Sequence, residues 1–175
     1  KLGRYTVTYS ATDASGNEGK KDFTLLCKNA VMLNAFENEE DLGTVVGLNY
    51  QKEVVSENTM NGNGIKITMP DKLDNTDLAW IRICVPIKTA DGGYMSWEDL
   101  KEFESVQIYI YSSVANEFGL SLRVDPIEVG KNVLMFNMSE IEAFRKTAPT
   151  QYSEDENGFY FNLRYPTAGS YYILD

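Results

Sequence analysis

The stretch Val106-Gln107-Ile108-Tyr109-Ile110-Tyr111 alternates aliphatic side chains with polar or aromatic ones. Successive side chains of a β-strand point to opposite faces, so this pattern predicts a strand that sends Val106, Ile108 and Ile110 into a core. The same alternation recurs at residues 65–69, 80–85, 120–124 and 159–164. Alternation with a period of two residues, repeated in several segments, is typical of antiparallel sheets with one buried face. The sequence therefore predicts an all-β fold, an antiparallel β-sandwich.

Two short helices are predicted in the connections between strands. Ser96 can accept a hydrogen bond from a first-turn N–H, with Asp99 in place of the glutamate of a capping box. Residues 139–142 read Ser-Glu-Ile-Glu, which is a full capping box, and its early acidic residues suit the helix dipole. Both helices are short connections, and the sequence predicts no layer of helices packed on the sheets.

Charge and composition exclude several classes of function. Sixteen Lys and Arg against 26 Asp and Glu give a net charge of -10, and no basic run offsets it, so nucleic acid is not expected as a partner. No stretch approaches the roughly 20 apolar residues of a membrane-spanning helix, so membrane insertion is not expected. The chain has no histidine, which excludes Ser-His-Asp and Cys-His catalysis and zinc held by histidine. A glycosidase or lyase acting through two carboxylates remains an alternative, although 26 acidic residues nominate no particular pair.

The first residues predict a hairpin. Side-chain types alternate as in β-strands at residues 5–9 and 23–26. Between these segments, residues 13–17 read Asp-Ala-Ser-Gly-Asn, residue types that are favoured in turns. The segment GRYTVTYSATDASGN at residues 3–17 resembles the last two strands of bacterial Ig-like and hyaline-repeat modules. That resemblance implies a spacer module in a secreted or cell-surface protein of many domains. The expected division is an Ig-like hairpin at residues 1–29 and a second domain at residues 30–175.

The second domain has its own resemblance, which rests on the order of several short motifs. These are the "FE" at residues 36–37, the stretch 61–68 where the related sequences often read "GSxSLKVT", the strand 106–111, the stretch 130–136, and the closing GSYYILD at residues 169–175. Their order resembles the jelly-roll sandwiches of the galactose-binding-like superfamily, which includes many carbohydrate-binding modules. The resemblance implies a jelly-roll β-sandwich that binds a glycan or polysaccharide without catalysis.

Alternation also defines the residues expected on the outer faces of the strands. They combine flat rings with planar hydrogen-bonding groups, which suits a sugar because its C–H face stacks on an aromatic ring and its hydroxyls need polar partners. The same residue types also form cross-strand pairs and cation–π contacts, or are covered by a loop or a neighbouring module. The predicted set comprises Trp80, Arg82, Gln107, Tyr109, Tyr111, Ser121, Arg123, Tyr160, Asn162 and Arg164.

Two further sites are candidates. Tyr94 follows Gly92-Gly93 in a loop that can fold over a ligand, whereas Trp97 is expected to anchor in the core. The galactose-binding-like resemblance implies a structural Ca²⁺ between the opening "FE" and the last strand, and so points to Glu37, Glu39 and Asp175, with Asp41 nearby. Carboxylate oxygens suit Ca²⁺, but residues 38–41 also fit a solvated acidic loop.

The expected function is a non-catalytic carbohydrate-binding module of a secreted or cell-surface bacterial protein, beside neighbouring domains of the same chain. The alternative is a structural or adhesive β-sandwich that contacts proteins and has no glycan ligand. Cys27 and Cys84 are either two separate thiols or a pair, and the sequence leaves both open.

Overall fold

The computed structural model describes residues 3–27, 30–43, 45–46, 49–60, 62–73, 80–88, 93–120, 123–147, 152–153 and 158–175. The chain forms two compact units, Lys1–Met32 and Leu33–Asp175. None of its described helices is long and apolar enough to cross a membrane.

The first unit is an antiparallel hairpin of β1 (Gly3–Thr12) and β2 (Glu18–Cys27), as predicted. The Asp13 carboxylate closes its turn by accepting hydrogen bonds from the backbone N–H groups of Ser15 (2.8 Å) and Asn17 (2.9 Å). Hydrogen bonds from Asn17, through its side chain first and its backbone second, lower the pKa of Asp13 below its ordinary value. On one face, the Tyr9 ring meets the Phe23 ring edge to face at 5.3 Å.

The second unit is a sandwich of two antiparallel sheets. Its strands are β3 (Val45–Val46), β4 (Gln51–Val55), β5 (Gly64–Thr68), β6 (Trp80–Pro86), β7 (Ser105–Ser112), β8 (Asn116–Gly119), β9 (Asp125–Ile127), β10 (Gly130–Asn137), β11 (Tyr152–Ser153), β12 (Gly158–Arg164) and β13 (Tyr171–Leu174). One sheet, called sheet I, has the order β10-β7-β13-β5-β4. The other, sheet II, has the order β3-β6-β12-β8-β9, with β11 beside β12. The chain crosses repeatedly between the sheets, and the predicted all-β antiparallel sandwich is confirmed.

The core lies between the sheets and includes the aliphatic and aromatic residues that alternation placed inward. Ile81 and Ile83 of sheet II and Ile108 and Ile110 of sheet I are all buried. Aromatic contacts join the two layers, since the Phe161 ring of β12 lies 5.5 Å from the Phe136 ring of β10. The inward assignments of these strands are therefore confirmed, while Leu122 lies outside the described residues.

The strand predicted over residues 120–124 is misplaced. Strand β8 ends at Gly119 and β9 begins only at Asp125. A Cβ built on Gly119 would lie 2.3 Å from the carbonyl oxygen of Arg123, so the chain folds back closely over this glycine instead of continuing as a strand. Only a residue without a side chain allows that approach.

Both helices form where they were predicted, but the second begins earlier than its predicted N-cap. Helix α1 (Trp97–Leu100) has Ser96 as its N-cap, whose hydroxyl accepts from the Asp99 N–H at 3.2 Å. Helix α2 (Met138–Thr147) begins directly after β10, and Glu140 accepts from the Asn137 N–H at 3.3 Å. The predicted capping box at Ser139 is therefore wrong, because the ladder of β10 runs through Asn137 and the helix starts from it. A further turn of 3-10 helix covers Glu39–Asp41.

The Cys84 side chain is fully buried on β6. The side chain of Cys27 lies outside those that the structure describes.

Candidate functional site

The predicted outward residues divide between two opposite surfaces. Gln107, Tyr109 and Tyr111 lie on β7 of sheet I, whereas Arg82 and Tyr160 lie on β6 and β12 of sheet II. Tyr109 and Tyr111 therefore cannot share one platform with Tyr160, because the outer faces of a sandwich point away from each other. We call the outer face of sheet I the tyrosine face and the outer face of sheet II the arginine face.

The tyrosine face contains a pair of tyrosines on neighbouring strands. The rings of Tyr111 on β7 and Tyr171 on β13 have centroids 5.9 Å apart and planes within 13° of parallel. Interaction with the Tyr171 side chain, through hydrogen bonding first and electrostatics second, raises the pKa of Tyr111 above its ordinary value. Tyr171 was missed by the sequence analysis. Alternation could not assign it, because residues 171–174 read Tyr-Tyr-Ile-Leu and have no polar face; the structure buries Tyr172 and so directs Tyr171 outward.

Polar side chains surround the tyrosine pair on the side of β5 and β4. The Lys66 ammonium lies 5.1 Å from the centroid of the Tyr171 ring and 2.8 Å from the Glu53 carboxylate. Thr68 is opposite Tyr171 in the β13–β5 ladder, and Gln51 is opposite Thr68 in the β5–β4 ladder. The ring pair therefore borders a hydroxyl, an amide and an ion pair.

The connection between β4 and β5 folds over the middle of the tyrosine face. Ile173 has its side chain on this outer face, yet it is only 2% exposed. A Cβ built on Gly64 would lie 2.8 Å from Ile173 Cγ2 and 3.0 Å from Thr59 Cγ2, so Thr59 packs over both positions. We call residues 56–60 of this connection the crossing loop.

Two contacts hold the crossing loop in place. The Met60 N–H donates to the Asp175 carboxylate, and the Lys131 ammonium donates to the Thr59 carbonyl at 2.7 Å. Within the loop, the Thr59 hydroxyl donates to the Gly62 carbonyl at 2.6 Å. The loop is therefore tied to β13 and to β10 at the same time.

The edge strand β10 gives the tyrosine face an apolar margin. Val133 and Met135 are about half exposed, at 51% and 50%, and stand opposite Tyr109 and Gln107 in the ladder. The Gln107 amide contacts the Met135 sulfur at 3.6 Å. This half of the face is more apolar than the half around the tyrosine pair.

The arginine face is partly covered by the chain itself. The guanidinium carbon of Arg82 lies 5.4 Å from the centroid of the Tyr160 ring. Asn162, opposite Arg82, is only 7% exposed, and its Oδ1 has no hydrogen-bond partner among the described residues. Gly119 is its other neighbour, and the Arg123 backbone lies over that glycine. Asn162 is thus beneath the surface, while Arg164 on the same strand is half-buried.

The remaining predicted residues are Arg123, Tyr94 and Trp80. Arg123 pairs with the carboxylates of Asp125 (3.1 Å) and Glu140 (2.7 Å), and so links the β8–β9 connection to α2. Tyr94 is exposed next to its backbone bridge with Lys88, and most of its loop lies outside the described residues. The side chain of Trp80 also lies outside them.

Trp97 packs on the core, as predicted. It is partly buried, and its ring meets the Phe159 ring edge to face at 6.4 Å.

Most of the carboxylates implied in calcium binding form hydrogen bonds or an ion pair within the protein. Glu37 accepts from the Asn63 amide at 2.6 Å, and Asp175 accepts from the Met60 N–H. The Glu39 carboxylate is exposed, and Asp41 is buried against Lys88. Across the part of the chain that the structure describes, no three Asp, Glu, Cys or His residues cluster in a way that could hold a metal. Calcium at Glu37, Glu39 and Asp175 stays a prediction.

Comparison with known proteins gives distant similarities only. No protein-family model matches the chain, and no curated protein matches it. One similar solved structure is the family 11 carbohydrate-binding module of the cellulosomal cellulase Lic26A-Cel5E of Clostridium thermocellum, with a TM-score of 0.44 and 11% identity, covering 83% of this chain and 90% of that one. Another is described as the structural basis for the promiscuous specificity of carbohydrate-binding modules from the β-sandwich superfamily, with a TM-score of 0.40 and 13% identity, covering 100% of this chain and 73% of that one. At these TM-scores neither similarity adds to the fold assignment, which rests on the strand pairing.

Proposed function

We propose that this chain is a non-catalytic carbohydrate-binding module and that the Tyr111–Tyr171 pair on the tyrosine face binds the glycan. The observation that supports this proposal is the near-parallel arrangement of two half-buried rings on adjacent strands, 5.9 Å apart. Rigid strands hold both rings, so little side-chain freedom is lost when a ligand binds. Stacking on rings held in this way is how an aromatic surface contacts the C–H face of a sugar.

The surroundings of the pair suit a hydroxyl-rich, uncharged ligand. Thr68 and Gln51 supply a hydroxyl and an amide, and the charge of Lys66 is offset by Glu53 at 2.8 Å. A net charge of -10 opposes polyanionic glycans at longer range. The ligand class that fits these groups is a neutral oligosaccharide or polysaccharide.

A binding role also fits the use of the nearby carboxylates. Glu53 pairs with Lys66, and Asp175 accepts the Met60 N–H. Glycoside hydrolysis needs one carboxyl group to supply a proton and another to act as nucleophile or base. Glu53 and Asp175 already serve in the protein's own contacts, which supports a role in binding without catalysis.

The proposed setting is a secreted or cell-surface protein with several domains. Its support is the likeness of residues 3–17 to the end of an Ig-like spacer, together with the separate hairpin unit. A module of this kind would hold its parent protein close to polysaccharide.

The first experiment is a glycan-array screen of the whole chain in the presence of Ca²⁺, followed by calorimetry on the best-bound glycan. Tyr111→Ala and Tyr171→Ala are each expected to weaken binding about tenfold or more, corresponding to about 1.4 kcal/mol. Tyr165→Ala is the matched control, since Tyr165 is an exposed tyrosine at the end of β12, which belongs to sheet II. Equal affinity of all three variants and wild type would refute the tyrosine pair as the site.

Protein contact is the second candidate, and one observation favours it. Val133 and Met135 expose apolar surface on the edge strand β10, beside Tyr109. Aromatic residues and methionine are enriched in protein interfaces. Silence of the wild-type chain across a broad glycan array would favour this structural or adhesive role.

A further inference from the structure

The crossing loop and Lys131 together span the tyrosine face from edge to centre. Lys131 stands directly opposite Tyr111 in the β10–β7 ladder, so its backbone lies on the outer strand of sheet I. Thr59, whose carbonyl accepts from the Lys131 ammonium at 2.7 Å, packs over Ile173 and Gly64, beyond the other side of β7. The lysine side chain must therefore cross β7 on the outer face.

The register places this crossing between two tyrosines. Tyr109 exchanges backbone hydrogen bonds with Asp175, at 3.1 and 3.0 Å, and the Asp175 carboxylate holds the Met60 N–H that follows the Thr59 carbonyl. The lysine thus starts level with Tyr111 and ends level with Tyr109. On one side of it lies the Tyr111–Tyr171 pair, and on the other lie Tyr109 and the apolar margin.

We propose that Lys131 is a positioning residue that divides the tyrosine face, confines a glycan to the Tyr111–Tyr171 half, and so sets the length of sugar chain that the site accepts. This inference rests on the proposed function. Lys131 acts through Thr59: its N–H donors fix the loop and hold the lysine side chain across β7, and the two held in this way block the way to Tyr109. Without the donors, a longer chain can continue from the tyrosine pair onto Tyr109.

The test compares three versions of the whole chain on a glycan array that carries linear neutral chains of graded length. Lys131→Met keeps an unbranched apolar stem and removes the N–H donors, whereas Lys131→Arg keeps donors for the Thr59 carbonyl. Lys131 is an exposed side chain, so both variants are expected to fold, which circular dichroism checks before binding is measured.

The expected result is a change in selectivity. Wild type and Lys131→Arg bind short and long chains with similar affinity, while Lys131→Met binds long chains about fivefold more tightly than short ones, as one additional stacked ring of about 1 kcal/mol would give. Adding Tyr109→Ala to Lys131→Met removes the increase in long-chain affinity. Tyr109→Ala in the wild-type background leaves the affinity for both chain lengths unchanged.

The outcomes separate this inference from the proposed function. If wild type binds glycans and Lys131→Met shows the same ratio of long-chain to short-chain affinity, the division of the face is wrong and the tyrosine site stands. A uniform loss of affinity in Lys131→Met would also overturn it, since that is a merely structural effect. If wild type binds no glycan, the proposed function fails and this inference falls with it.

Discussion

Replacing Asp41 with alanine is expected to destabilise the sandwich unit by about 2–3 kcal/mol. Asp41 is only 6% exposed, and its two carboxylate oxygens have different partners. One accepts from the Lys88 ammonium, and the other accepts from the Asn38 N–H at 2.9 Å. The substitution leaves both donors without this acceptor.

The magnitude follows from those two losses. Breaking a buried ion pair by removing one partner costs about 3–5 kcal/mol when the remaining charge stays buried away from water. The Lys88 side chain is 27% exposed, so water partly replaces the carboxylate, and the upper part of that range does not apply. A hydrogen bond to a charged group contributes about 1.5–3 kcal/mol. About 2–3 kcal/mol is therefore the expected loss, and Asp41→Asn should lose less because its amide oxygen can still accept the Asn38 N–H.

The effect of Asp41→Ala has a defined pH dependence. Burial tends to raise the pKa of Asp41, but hydrogen bonds from Lys88 and the backbone outweigh it and hold that pKa below its ordinary value of 3.8. A carboxylate whose pKa is lowered by folding stabilises the protein above its unfolded pKa and loses that contribution as pH falls through its folded pKa. The difference between wild type and Asp41→Ala should thus be constant from neutral pH to about pH 4 and shrink below it.

Urea unfolding followed by circular dichroism measures this difference at several pH values, with Lys88→Ala and the double variant completing a cycle. The loss in the double variant should be smaller than the sum of the two single losses, because the pair is broken only once. An Asp41→Ala chain with the wild-type urea midpoint at neutral pH would refute the argument. So would a difference that persists unchanged in acid.

Two further substitutions test the packing of the sandwich. Gly119→Ala should cost about 1–3 kcal/mol in urea unfolding, because its Cβ would lie 2.3 Å from the Arg123 carbonyl oxygen. Gly19 of the hairpin is the control, since the atom nearest to its added Cβ would be 4.0 Å away. Gly19→Ala should leave the urea midpoint unchanged, and equal losses of stability in the two variants would contradict this account. Tyr172→Phe should cost about 1–2 kcal/mol, since the buried hydroxyl accepts from the Asn116 amide at 2.8 Å. An unchanged melting temperature for Tyr172→Phe would show that water satisfies Asn116 equally well.

Alternation determined much of the fold because it reports a local property of a strand. In β7 it separated core from surface correctly, in β12 it failed only at the covered Asn162, and Ser96 identified the start of α1 from chemistry within a single turn. Strand pairing is different, since it joins residues far apart in the chain. Alternation states that Tyr109 and Tyr160 both point outward, but it cannot state that β7 and β12 belong to different sheets. The candidate site was therefore divided and partly reassigned.

Glycines within strands contain information about the site that alternation lacks. Gly119 lies where the Arg123 backbone covers the arginine face beside Asn162, and Gly64 lies where Thr59 covers the tyrosine face beside Ile173. Both glycines were visible in the sequence, and a glycine inside a strand often marks the close approach of another backbone. Read in that way, each would have predicted a covered outward neighbour.

What lies over each sheet decides which outward residues are available to a ligand. On sheet II the covering chain reaches Asn162, a residue that sequence alone nominated for binding and that is 7% exposed. On sheet I the covering loop stops at Ile173 and leaves the ring pair of Tyr111 and Tyr171 at the surface. The crossing loop bounds this exposed surface, and it is held by hydrogen bonds to Lys131 and Asp175, which lie on opposite sides of β7. Under the proposed function, two polar contacts and one glycine set the extent of the site, and variants at Lys131 are expected to change that extent without touching either ring.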